Sequence, residues 1–169
     1  MTILTDRRLV ITGVVTDDSI AFAVARRALD LGAEIVLTTF DRDRERTLAL
    51  RDELPQKVDV LELDVTRPEH FEALAADLRD RWGHVDGALH SVAFAPRPAL
   101  AGEFVATELD AVQRAFATST FSYATLAGLV ADLAPPRGAS VVGLDFDAAG
   151  AWPVYNWMGV CKAALEAAN

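Results

Sequence analysis

The chain holds a single cysteine, Cys161, which excludes an internal disulfide framework. Its three histidines, His70, His84 and His90, have neither metal-ligand spacing nor a cysteine partner, so no metal site is expected. No run of about 18 apolar residues occurs, and the opening Met-Thr-Ile-Leu-Thr-Asp-Arg-Arg lacks an apolar stretch of signal-peptide length. Basic residues are scarce. Sixteen Lys and Arg against 25 Asp and Glu give a net charge of −9, which opposes general attraction to nucleic acid or anionic lipid. A cytoplasmic protein with no nucleic-acid or membrane partner is the expectation. The Gly-x-Gly-x-x-Gly fingerprint of dinucleotide folds is missing too; Thr12-Gly13-Val14-Val15-Thr16 carries one glycine only.

Apolar runs and helical periods alternate through the 169 residues, 51% of which are hydrophobic. Leu9 to Gly13, Ile35 to Thr38, Val58 to Leu63, Gly87 to Ser91 and Ala139 to Leu144 are short, mainly apolar runs of the kind buried on both faces of a parallel sheet. Helical patterns follow over Ser19 to Leu31, Arg42 to Leu54, Thr66 to Trp82, about Thr107 to Leu133, and from about Trp152. Thr66 and Glu69 form a candidate capping box, and Pro96-Arg-Pro98 reads as loop punctuation. Strand followed by helix with short joins predicts a single Rossmann-type domain over 1–169: an α/β, doubly wound parallel sheet of order 3-2-1-4-5. Gly13 to Ala21, Ser91 to Phe94 and the residues after Leu144 are then expected at the carboxyl ends of the strands, around one crevice.

Tyr155 and Lys162 stand seven positions apart. On a helix that spacing returns both side chains to one face, about 10.5 Å apart. An ammonium on the same wall would favour loss of the phenol proton or polarise it as a donor.

Gly13, Ser19-Ile20-Ala21, Phe40-Asp41-Arg42, Asp64-Val65, Ser91-Val92-Ala93-Phe94, Asp145-Phe146-Asp147 and Tyr155-x6-Lys162, in this order and spacing, resemble the enoyl-acyl-carrier-protein reductases. Within that branch of the short-chain dehydrogenase/reductase superfamily they look most like the mycobacterial and actinobacterial type. The resemblance implies NADH-dependent reduction of the trans-2 double bond of an enoyl thioester, carried by acyl carrier protein or coenzyme A, in fatty acid biosynthesis.

By that resemblance Tyr155, Lys162 and Phe146 are the catalytic residues. Tyr155 would donate to the developing enolate, Lys162 would hold the nicotinamide ribose, and Phe146 would align the hydride donor with the double bond. Gly13, Ser19, Ile20, Ala21, Phe40, Asp64, Val65, Ser91, Val92 and Ala93 would bind the cofactor with Lys162. Phe94, Trp152 and Met158, with Phe146 and Tyr155, would face the substrate. NADH is preferred because Phe40 looks like that of NADH-using relatives, while Arg42 keeps a 2′-phosphate, and so NADPH, open.

Ketoreductases of the superfamily carry Tyr-x3-Lys and an upstream Ser; here Gly159 and Val142 hold those places. Ala93 stands where the family pattern has glycine, and Trp152 replaces a Met, which would narrow an acyl tunnel. Relatives continue into a sixth strand, a substrate lid and a seventh strand. The resemblance therefore leads to the expectation of the cofactor-binding portion of a longer enzyme, homotetrameric in its full-length relatives. A non-catalytic NAD(H)-binding or interaction protein is the alternative.

Overall fold

The structure, a computed structural model, describes residues 2–169. The apolar runs form five strands, β1 Arg8–Thr12, β2 Glu34–Thr39, β3 Asp59–Glu62, β4 Gly87–His90 and β5 Ser140–Gly143, in one sheet of order β3-β2-β1-β4-β5. β1 pairs in parallel with β2 and β4, and β2 with β3; Ile11 stands opposite both Leu37 and Leu89. β4 is buried at every position and β2 at all but its first. Burial on both faces is why these strands read as continuous apolar runs rather than alternations. The α/β class and strand order are those expected.

The helices are α1 Ile20–Asp30, α2 Arg44–Asp52, α3 Pro68–Trp82, α4 Arg97–Ala101, α5 Leu109–Phe116, α6 Ser122–Asp132 and α7 Asn156–Ala168. α3 begins without a capping box. Thr66 Oγ1 donates to Asp64 Oδ1 at 2.7 Å and Glu69 pairs with Arg67, so both side chains are engaged elsewhere. Pro98 falls in the first turn of α4, where its missing N–H costs nothing, so Pro96-Arg-Pro98 starts a short helix rather than a loop.

The stretch expected as one helix from Thr107 is interrupted by a π-helical turn, Ala117–Phe121, between α5 and α6. The last helix begins at Asn156 rather than near Trp152. Val154 at φ 57° and Asn156 at φ 42° delay right-handed winding.

The chain divides into two compact units, one comprising residues up to Ser91 with Leu126–Val142, the other Val92–Thr125 with Gly143–Asn169. The first is built on the sheet. Val10, Val36 and Ala88 pack with Phe71, Leu74 and Leu78 of α3 and with Leu126, Leu129, Val130 and Leu133. Leu78 is fully buried, so truncation to Ala would cost about 2–5 kcal/mol.

Asp86 sits beneath β4 with 3% of its side chain exposed, accepting from Arg7 at 3.0 Å, Arg137 at 2.6 Å and the Arg8 amide at 3.1 Å. Burial pushes its carboxyl up, but these donors outweigh it and hold the group below its usual range.

The second unit has its own core of Ala99, Ala111, Ala115, Met158 and Cys161, against which Tyr155 and Trp157 pack. Trp157 stacks on Phe104 at 4.5 Å between ring centroids and donates its indole N–H to the Phe104 carbonyl. Gly143 lies so close to Tyr123 and Leu165 that a Cβ there would stand 3.1 Å from the Tyr123 ring.

Candidate active site

In the first unit, Gly13 follows β1 at φ 79°, and a Cβ there would stand 1.9 Å from the Ser91 carbonyl oxygen. Glycine is thus required by the chain itself, before any ligand approaches. Thr12, 1% exposed, donates to the Leu89 carbonyl at 2.9 Å and accepts from the Ser91 amide at 2.8 Å. That hydroxyl clamps the end of β4 to β1. Sequence reasoning missed it, although a Thr before a turn glycine in an apolar strand was the available signal.

Ser19 caps α1: its Oγ accepts from the Phe22 amide at 3.1 Å and donates to the Thr16 carbonyl at 2.8 Å. The amides of Ile20 and Ala21 precede the first intrahelical bond, so this end of α1 favours an anion. Phe40 carries the Arg42 guanidinium 4.9 Å from its ring centroid. Asp64 Oδ1 is committed to the amide and hydroxyl of Thr66, and Val65 packs half-buried against the sheet core. Ser91 is half-buried.

In the second unit Tyr155 occupies the position before α7, and Lys162 lies within the helix. Lys162 is 5% exposed. Its Nζ donates to the Leu144 carbonyl at 2.6 Å and lies 4.0 Å from Asp145 Oδ1. Burial drives the ammonium pKa down, against the opposing influences of Asp145 and Cys161.

The Tyr155 phenol shifts up, through burial and then the Asp145 carboxylate. The expected effect of the lysine, easier loss of the phenol proton, does not govern this shift, which partial burial and the Asp145 carboxylate set in the opposite direction. A phenol that keeps its proton is a hydrogen-bond donor.

Phe146 is 43% exposed; its ring centroid lies 4.6 Å from that of Tyr155 and 5.7 Å from that of Trp152. Trp152, also exposed, donates its indole N–H to the Asp147 carbonyl at 2.8 Å, while the Asp147 carboxylate accepts from the Ala149 amide. Phe146, Trp152 and Tyr155 thus form one aromatic group. Phe94 exposes its ring, and Val92 and Ala93 precede it at the surface of the same unit.

Met158, expected to face substrate, is 5% exposed and fills the core against which Tyr155 packs. Its side chain packs there with Ala99, Ala111, Ala115 and Cys161. Sequence reasoning also passed over Asp145, beside Lys162, and Ser119 and Thr120, whose partners are distant in the chain. A run of three hydroxyl residues inside a helical pattern, Thr118-Ser119-Thr120, was the visible sign.

Between α5, the π turn and α7 lies an apolar groove of about 280 Å³, walled by Val112, Phe116, Phe121, Trp157, Val160 and Cys161. Among the described residues no helix is long and apolar enough to cross a membrane, and no group of acidic, His or Cys residues could hold a metal.

The family model described as enoyl-(acyl carrier protein) reductase matches residues 13–169. A protein of Mycolicibacterium smegmatis named enoyl-acyl-carrier-protein reductase (NADH) is 40% identical over 99% of this chain and 63% of its own length. Its counterpart from Mycobacterium avium is 39% identical over the same shares. One from Neisseria meningitidis is 34% identical over 99% of this chain and 65% of its own. The chain thus spans a little under two thirds of the length of these relatives.

Proposed function

The chain belongs to the enoyl-(acyl carrier protein) reductase family, and from that premise we propose that it serves NADH-dependent reduction of the trans-2 double bond of enoyl thioesters in fatty acid biosynthesis. The observation that carries the reading is the geometry of the Tyr155 phenol, its ring centroid 4.6 Å from that of Phe146, with Lys162 on the helix that follows. The names of the relatives support NADH as cofactor.

When bound, the nicotinamide supplies hydride to C3 of the thioester, and charge develops on the thioester oxygen. Tyr155 stabilises that oxygen by donating its phenolic hydrogen bond. Lys162 has three donors and one is used by Leu144, so two remain for the nicotinamide ribose hydroxyls. Phe146 and Trp152 present exposed aromatic faces for the acyl group, and Phe94 adds a third.

In the other unit, the α1 N-terminus suits a pyrophosphate and the Phe40 ring an adenosine end. Asp64 and Val65 serve the adenine, through Asp64's second carboxylate oxygen and the Val65 backbone. Gly13, Ser91, Val92 and Ala93 belong to the cofactor-binding set. Residues 1–169 are read as one dinucleotide-binding domain acting in the cytoplasm.

The acyl carrier is acyl carrier protein, as the relatives' names have it, or coenzyme A. Assembly as a homo-oligomer is supported by the exposed apolar side chains of Leu109, Phe116, Phe121 and Val160.

A second reading, NAD(H) binding without turnover, draws on Lys162 being engaged by Leu144 and Asp145 of its own chain. Loss of NADH absorbance on adding a trans-2-enoyl thioester, and not on adding a β-keto thioester, is the expected outcome of the reductase reading. NADH binding without any such oxidation would favour the second.

A further inference from the structure

The π turn Ala117–Phe121 carries two adjacent buried hydroxyls that do not behave as helical Ser and Thr usually do. Within a helix these side chains commonly bond back to the carbonyl four residues earlier. Ser122 and Thr125 do so, donating to Thr118 and Phe121. Ser119, fully buried, reaches outside the helix: its Oγ lies 3.0 Å from both the amide and the carbonyl of Phe94. It accepts from one and donates to the other, as a neighbouring strand residue would.

Thr120, 4% exposed, donates to the Cys161 carbonyl at 2.7 Å, one residue before Lys162. Two consecutive residues therefore hold two segments of the candidate site, the loop carrying Phe94 and the helix carrying Lys162. Both residues lie in the π-wound turn, and such single-turn insertions are frequent at functional sites.

We propose that the π turn is a positioning element, with Ser119 fixing the backbone of the Phe94 loop and Thr120 fixing the α7 turn that carries Lys162. The consequences for turnover rest on the reductase reading. The hydrogen bonds can be tested apart from it.

In the wild-type protein the Phe94 amide should exchange slowly with solvent deuterium, and Ser119→Ala should speed that exchange by about tenfold or more. Kinetically the two hydroxyls should separate. Ser119→Ala should raise the KM for enoyl thioester and the NADH Kd about fivefold with kcat nearly kept, whereas Thr120→Val should lower kcat about threefold with both affinities nearly kept. A merely structural pair would lower stability in both variants and leave those ratios alone. If Ser119→Ala does not fold, Ser119→Cys replaces it, since the thiol keeps the volume and loses most of the bond strength.

An unprotected Phe94 amide in the wild type overturns the proposal, as does a Ser119→Ala protein whose affinities match the wild type. A wild type that binds NADH but shows no turnover contradicts the reductase reading alone. The clamp then stands if Ser119→Ala weakens NADH and falls if it does not. A wild type that neither binds NADH nor reduces enoyl thioester contradicts the reductase reading, and the clamp then stands or falls on the exchange of the Phe94 amide in wild type against Ser119→Ala.

Discussion

Asp86 and Lys162 are both charged side chains nearly removed from water, and they are treated oppositely. Asp86 takes three donors, two of them guanidinium groups, and its charged form is favoured over that of a free carboxylate. Lys162 has one carbonyl and a carboxylate at 4.0 Å, and burial leaves its charged form disfavoured. A buried charge supplied with all its partners holds a fold together; one left with unused donors is available to a ligand. The first lies where β1, β4 and the approach to β5 must be joined. The second lies in the unit that bears the aromatic group and Tyr155.

Removing each charge should break that comparison most visibly. Asp86→Ala leaves Arg7 and Arg137 without their acceptor and should cost about 2–3 kcal/mol of stability, read as a lower denaturant midpoint at unchanged m-value. Lys162→Met removes an undercompensated cation at similar volume, so stability should change by less than about 1 kcal/mol while turnover collapses. A Lys162→Met protein as destabilised as Asp86→Ala would show that both charges are structural.

The pH dependence should separate them next. The Asp86 pKa is depressed in the fold, so its stabilisation is complete above about pH 4, where the unfolded carboxyl is ionised, and is lost as pH falls through the folded-state value. Lys162, also depressed, is a base: the fold pays least for it when neutral, so its contribution improves as pH rises through its folded-state value. Unfolding of the wild type and Asp86→Asn across acid pH should converge at low pH; parallel curves would contradict the assignment.

The smallest effect is expected at Asp145. Asp145→Asn removes the carboxylate that raises the Tyr155 phenol and supports the Lys162 ammonium, so the alkaline limb of the rate profile should move by a few tenths of a pH unit and kcat by about threefold.

The same contrast explains what the sequence made legible. The central strands β2 and β4 could be read because burial on both faces forces near-continuous apolar runs, the half-exposed edge strands β3 and β5 were legible only as short Val- and Leu-bearing runs, and the order followed from short crossovers. Tyr155 and Lys162 stood out by their spacing and family resemblance, and the structure has the first just before α7 and the second within it. The π turn could not be read, because the two buried hydroxyls it carries find their partners 25 and 41 residues away. The late start of α7 turned on left-handed backbone at Val154 and Asn156, for which Val gives no local signal. The burial of Met158 had no local sign for a related reason: its side chain packs in a core made largely of alanines from α4 and α5. Asp86 was invisible since each of its arginines lies at least 51 residues away.

In the proposed reaction Tyr155 acts as a proton-bearing donor to the charge that develops during reduction. Steady-state kcat for trans-2-enoyl-thioester-dependent NADH oxidation, measured together with NADH Kd in wild type and Tyr155→Phe, tests it most directly. Tyr155→Phe should show a kcat lower by about 10²- to 10³-fold at nearly unchanged NADH affinity; equal turnover in the two proteins would contradict that role.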